Sequence, residues 1–137
     1  MKFDVKSQTK SGIQTSWSSK AREHELTMAI PSEFEGPGSG FSPEDLYAMA
    51  LVNCFVATFK VVAEKSKLEF SNLDASGILS LDNGADGKLW MAKIEIAVSL
   101  SGVSETQKAV RLLQKASEIC MILNSTKTEK VFNFQVV

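Results

Sequence analysis

The stretch Glu35-Gly36-Pro37-Gly38-Ser39-Gly40-Phe41-Ser42-Pro43-Glu44-Asp45 runs into an apolar segment, Leu46 to Ala63, with Cys54 near its middle, and its reading decides how the chain is built. Gly36, Gly38 and Gly40 make a loop that no regular element tolerates. Ser42 then suits an N-cap, where its hydroxyl accepts from a first-turn N–H, and Pro43 suits the first helical position, where its missing N–H costs nothing. Asp45 takes the place that Glu or Gln holds in a capping box, and with Glu44 it sets negative charge against the positive end of the helix dipole. A helix starts here.

From Leu46 to Ala63 that helix is apolar almost all the way round, interrupted only by Asn53, Thr58 and Lys60, so it is not a surface helix with one wet face. At roughly 18 residues it approaches a membrane span, but a mid-helix Asn, a Lys and the polar remainder of the chain favour a central core helix. A chain of 137 residues has little else with which to cover it. The helix therefore predicts a partner chain.

Composition sets the outer bounds. The length fits one domain, residues 1–137. Lys plus Arg number 15 and Asp plus Glu 16, which leaves no field to attract nucleic acid or an anionic membrane, and neither is expected as a partner. Met1-Lys2-Phe3-Asp4-Val5 carries no apolar signal region, and a secreted domain would use cysteine more densely, so the cytoplasm is the expected compartment. Cys54 and Cys120 are the only cysteines and His24 the only histidine, too few for a structural zinc site; no metal is expected. The two cysteines leave two readings open: inert buried thiols, or a redox pair.

The rest of the chain reads as strands and one more helix. Phe3 and Val5 set one face of a first strand, Ser11-Gly12 a turn, and Ile13 to Trp17 a second strand. In a third strand Leu26, Met28 and Ile30 share a face, and Arg22 and His24 are in phase with them. Either that strand extends back and turns both cations to a covered side, or it frays before Leu26 and both are solvated. Leu68 to Leu81 and Lys88 to Leu100 form a long hairpin around Asn83-Gly84-Ala85-Asp86-Gly87, with Trp90, Ala92, Ile94, Ile96, Val98 and Leu100 on one face. Ser104-Glu105-Thr106-Gln107 reads as a capping box for a second helix, whose apolar stripe is Ala109, Leu112, Leu113, Ala116, Cys120 and Leu123. Val131 to Val137 closes the chain as a strand with Phe132, Phe134 and Val136 on one side. Strands with hairpin connections, separated by two helices, predict an α+β fold with antiparallel sheet.

A chemically useful cysteine needs thiolate character, and Cys54 sits too deep in its helix for the N-terminal dipole to supply it. Glu44 lies about 15 Å before it along a straight helix, too far for direct contact. Glu44 could serve Cys54 only through another group or from a second chain.

Together the glycine loop, Ser42-Pro43-Glu44-Asp45-Leu46, Ala50-Leu51-Val52-Asn53-Cys54-Phe55, the second cysteine and the closing strand resemble the OsmC/Ohr family of osmotically inducible and organic-hydroperoxide-resistance proteins. The resemblance follows most of the chain in element order, and its most specific part is the spacing from Pro43-Glu44 to Cys54 behind the glycine loop. It implies an intertwined homodimer, with two central helices packed between antiparallel sheets built from both chains. It implies Cys54 as peroxidatic cysteine, Cys120 as resolving cysteine and Glu44 as the carboxylate that positions an active-site arginine. It also implies organic hydroperoxides as substrates, a lipoyl-type dithiol as reductant and no organic cofactor. The chain departs from the family at two points. Met121 follows Cys120 where family members often carry Pro, and the family arginine has no direct match, leaving Arg22 as the nearest candidate and Arg111 as the only other. Phe34 and Phe41, beside the glycine loop, are candidates for a lid over an organic substrate. Against the peroxidase stand two alternatives: a catalytically silent binding protein for a small apolar ligand, and a thiol redox sensor.

Overall fold

Ser42 caps the long helix with the reciprocal bonds its sequence predicts: Asp45 N–H donates to Ser42 Oγ at 3.0 Å, and Ser42 N–H donates to Asp45 Oδ2 at 2.9 Å. In the computed structural model, which describes residues 1–137, this helix is α1, Pro43–Lys65. The chain divides into two units, Met1–Tyr47 and Ala48–Val137, with the boundary inside the first turns of α1.

The first unit holds an antiparallel sheet of β1 (Val5–Gln8), β2 (Trp17–Ala21) and β3 (His24–Met28), in that order. The predicted turn is present, with Gly12 at φ 112° and Thr15 N–H donating to Gly12 O at 3.1 Å, but it consumes Ile13. The second strand therefore begins at Trp17 instead of spanning Ile13 to Trp17. Ala21 pairs with His24 across a two-residue turn, and Arg22 sits in that turn at φ 55°. This corrects both readings of the third strand. Arg22 is not on a strand face, pairing persists to His24 without fraying, and Arg22 and His24 are nonetheless exposed, as is every β3 side chain before Met28.

The glycine loop packs on the far end of β3. Phe41 N–H donates to Thr27 O and Ala29 N–H to Phe41 O, both at 3.0 Å, while Gly38 N–H donates to Ile30 O at 3.1 Å. A Cβ on Gly36 would overlap the Ile30 carbonyl, and one on Gly40 would stand 2.7 Å from Thr27 O. These glycines serve close backbone approach, so the loop is seated, not loose.

The second unit carries β4 (Asn72–Asn83), β5 (Leu89–Ser101) and β6 (Glu129–Val136), ordered β4-β5-β6. The β4–β5 hairpin is antiparallel as predicted, but β5 and β6 pair in parallel, a correction to the all-antiparallel expectation. Between them lie α2 (Thr106–Ile119) and α3 (Met121–Asn124), a connection long enough to carry the chain back along the sheet. The α+β class stands. Ile94, Ile96, Val98 and Leu100 are buried on one face of β5, whereas Trp90 is 43% exposed. Ser80 pairs with Lys93 and Leu81 with Met91, so Ala92 is the extra residue of a bulge and the alternation changes phase before it. At α2 the predicted capping box does not form: Glu105 is still non-helical (φ −121°, ψ 82°), it becomes the N-cap, and no side chain caps the helix.

α1 buries Leu51, Phe55, Phe59, Val62 and Ala63, one stripe at helical spacing. Phe55 meets Phe132 at 5.3 Å and Phe134 at 5.8 Å between ring centroids, and Phe59 meets Phe70 at 5.5 Å. Outside the stripe Met49 and Val61 remain 45% and 51% exposed. α1 crosses β4 at Gly77, where a Cβ would stand 2.6 Å from Val52 Cγ2. Val52 is branched at Cβ and has little freedom to yield. Gly77→Val is therefore expected to lower stability by about 1–3 kcal/mol through overpacking. Urea denaturation measures this, and an unchanged midpoint would mean that α1 can lift from the sheet at no cost.

Candidate functional site: a redox cysteine pair

Cys54 takes its place from its neighbour. Phe55 is fully buried in the aromatic cluster and fixes the rotation of α1, which leaves Cys54 at the edge of the buried stripe, half-buried. Cys120 reaches the same place from the other side. Ala109, Leu112, Leu113 and Ala116 form the predicted buried face of α2, and Cys120 follows it, fully buried.

Its backbone differs from the prediction. Cys120 is not within a continuous helix but is both the C-cap of α2 and the N-cap of α3, extended at φ −67° and ψ 117°. Asn124 secures this break, its side-chain Nδ2 donating to Glu118 O at 2.8 Å and its N–H to Cys120 O at 3.0 Å. Glu118 to Asn124 contains neither Gly nor Pro, so the sequence signals no break. The available hint was Asn124, a residue suited to bonding backbone carbonyls locally.

The two cysteines are joined by a disulfide, with Cα atoms 6.2 Å apart, inside the span of about 7 Å that such a bond allows. Ile122 N–H donates to Cys54 Sγ at 3.4 Å. That contact was invisible beforehand, because a main-chain donor leaves no signature in residue type. The pair can cycle between dithiol and disulfide, taking up or releasing two electrons.

The other predicted site residues belong to the first unit, apart from the alternative arginine, Arg111. Glu44 stands in the first turn of α1, half-buried, and its Oε2 is shielded from water with no hydrogen-bond partner within the chain. Burying such an atom unpaired carries a cost of about 1–3 kcal/mol or more, so a donor for Glu44 is wanting. Arg22 is exposed in the β2–β3 turn, and Arg111, in the second unit, is exposed on α2. Phe34 ends a single 3-10 turn, Ser32–Phe34, and is 41% exposed; Phe41 is 40% exposed with its main chain tied to β3. Phe41, one of the two lid candidates, has its backbone held on both sides, by its N–H to Thr27 O and its O from Ala29 N–H.

A family model described as OsmC-like protein matches residues 36–135. An uncharacterized protein of Acinetobacter baylyi is 28% identical over 118 residues, covering 82% of this chain and 78% of that protein. An organic hydroperoxide resistance protein of Xanthomonas axonopodis pv. citri is 28% identical over 104 residues, covering 73% of this chain and 70% of that protein. Among solved structures, an OsmC-like protein of unknown function from Vibrio cholerae superposes with a TM-score of 0.85 at 20% identity, covering 98% of this chain and 99% of that one.

Proposed function

Because the chain belongs to the OsmC-like family, we propose that its cysteine pair serves peroxide resistance, as a thiol-dependent peroxidase acting on organic hydroperoxides. The observation that carries this reading is the disulfide between a half-buried Cys54 on α1 and a fully buried Cys120 at the α2–α3 break. In the first step the Cys54 thiolate attacks the terminal oxygen of the hydroperoxide. The S–O bond forms, the O–O bond breaks, and the alkoxide leaves and takes up a proton as the alcohol; sulfur has lost two electrons. The Cys120 thiol then attacks the sulfenic acid, the S–O bond breaks with loss of water, and the disulfide forms. A dithiol of lipoyl type returns two electrons and two protons and leaves as its own disulfide. This cycle requires no metal or bound organic cofactor, and it suits the cytoplasm, where thiols are returned to the reduced state between turnovers.

Two features of the reading reach beyond a single chain. The exposed Met49 and Val61 of α1, and a β1–β3 sheet with almost no buried side chains, support a homodimer in which a second copy covers them, each chain contributing one domain of residues 1–137. Sedimentation at micromolar concentration should give a dimer only; a stable folded monomer would remove this part. Glu44 is read as the carboxylate that holds a cation, with Arg22 as the nearest candidate, and Phe34 and Phe41 as apolar groups on the substrate side. Replacing Glu44 by Gln costs about 0.3–1 kcal/mol if the carboxylate only faces the helix dipole. If it holds a cation by a charge-assisted bond, Glu44→Gln slows turnover about 10-fold or more, beyond any loss of folding. Steady-state peroxide consumption beside a thermal melt separates the two.

The test of function is consumption of cumene hydroperoxide by the reduced protein supplied with dihydrolipoamide. Sustained turnover is expected. One observation favours a second reading: both arginines are exposed, so the group that would activate a thiolate is not buried beside one. A reversible disulfide without turnover would make the protein a redox sensor, and no peroxide chemistry at all would leave a binding protein for a small apolar ligand.

A further inference from the structure

We infer that the backbone N–H of Ile122 is a catalytic donor to Cys54, hydrogen-bonding its thiolate in the reduced protein and remaining on the sulfur as oxygen is transferred. This rests on the reading of Cys54 as the attacking thiol. In the disulfide form the N–H already stands 3.4 Å from Cys54 Sγ, although a disulfide sulfur is a weak acceptor. A thiolate is a far better one, since bonds to an ionised acceptor are shorter and about twice as strong. The same geometry therefore gains strength when Cys54 ionises.

The donor is held in place before any chemistry begins. Asn124 N–H donates to Cys120 O and Ser125 N–H to Ile122 O, both at 3.0 Å, and Leu123 beside it is buried. On the other side Phe55 fixes the rotation of α1, so the Cα–Cβ bond of Cys54 keeps its direction when the disulfide opens. A fixed dipole aimed at a charged atom needs no reorganisation during reaction, the condition under which such donors matter most. It also answers a problem that the arginines leave. Burial disfavours the charged form of a thiol, and with Arg22 in a turn and Arg111 exposed on α2, a main-chain donor supplies stabilisation that needs no side chain at all.

The test follows the amide directly. In reduced Cys120→Ser, the Ile122 amide proton should move downfield with pH at the same midpoint as Cys54 thiolate absorbance, and this movement should vanish in Cys54→Ala/Cys120→Ser. A flat Ile122 resonance across the Cys54 titration, while the Asn53 and Phe55 amides move, overturns the inference. A pair of proline variants checks the consequence. Met121→Pro is compatible with the backbone, because Cys120 before it is extended and Met121 is the first residue of α3. Ile122→Pro removes the donor itself. Ile122→Pro should raise the Cys54 thiol pKa by about one unit and slow single-turnover oxidation about tenfold at neutral pH, with Met121→Pro within about twofold of the parent. Equal pKa values in the two variants would overturn the inference. Turnover through Cys54 with a flat Ile122 amide sinks this inference alone, whereas a titrating amide in a protein that consumes no peroxide sinks the peroxidase reading.

Discussion

Cys54→Ser is expected to abolish peroxide consumption, whereas Cys120→Ser, given one equivalent of organic peroxide and no reductant, is expected to hold an added oxygen on Cys54. The asymmetry follows from where the two sulfurs stand. Cys54 is half-buried and carries the Ile122 N–H, while Cys120 is fully buried behind the apolar face of α2. A peroxide must reach the attacking sulfur in line with its O–O bond, so accessibility and a hydrogen-bond donor both favour Cys54. A resolving thiol has a smaller task, since it has only to reach the sulfenic acid, and in the disulfide form the Cα atoms stand 6.2 Å apart, within the span of about 7 Å that the bond allows. Inert core cysteines would behave otherwise: each substitution would alter packing and neither would alter chemistry. Mass spectrometry after one equivalent of cumene hydroperoxide decides between them. The wild type should show Cys54 linked to Cys120, and Cys120→Ser should show oxidation at Cys54, advancing to the sulfinic acid with excess peroxide. An oxygen adduct on Cys120 in Cys54→Ser would reverse the assigned roles.

How far such a site can be read in advance depends on whether its parts are written in residue type. The capping box was legible because Ser42, Pro43 and Asp45 each suit their position by side chain, and the structure forms both of its hydrogen bonds. The buried stripe of α2 was legible for the same reason, as was the inward face of β5 from Ile94 to Leu100, whereas the single stripe of α1 was hidden in a helix apolar almost all the way round. Trp90 was misplaced because a bulge at Ala92 depends on cross-strand register, which no local pattern states. The second capping box failed although its residues fit, since Glu105 keeps a non-helical backbone and the helix starts one position late. Parallel pairing of β5 with β6 escaped notice because the direction of a strand is set by the path of the connection and leaves the period of two unchanged. Cys120 was placed on the right face but in the wrong backbone state, since its break is held by Asn124 and the disulfide, not by Gly or Pro. Ile122 could be found only from geometry.

Phe55→Ala should destabilise the protein by about 3–5 kcal/mol, the usual cost of emptying a buried phenylalanine site. Measured against a total of about 5–15 kcal/mol for a folded domain, that removes a large part of the stability. The size of the effect follows from the number of partners lost at once. Phe55 is fully buried, and its ring lies 5.3 Å from Phe132, 5.8 Å from Phe134 and 6.3 Å from Phe59. These rings tie α1 to β6, and Phe132 and Phe134 cannot close the gap because they stand on a strand whose register with β5 is fixed. The same residue orients its neighbour Cys54, so the damage should extend to the chemistry. Phe55→Ala should slow closure of the Cys54–Cys120 disulfide after one equivalent of peroxide, as α1 loses the anchor that points Sγ toward Cys120. Phe55→Leu keeps most of the apolar volume and should lose less stability while retaining the rate of closure. Urea denaturation at a fixed protein concentration, with the rate of disulfide closure measured in parallel, checks both parts. A Phe55→Ala protein within about 1 kcal/mol of the parent would mean that the aromatic cluster is not what seats α1, and the neighbouring wall of Leu51, Phe59 and Val62 would then have to orient Cys54 unaided.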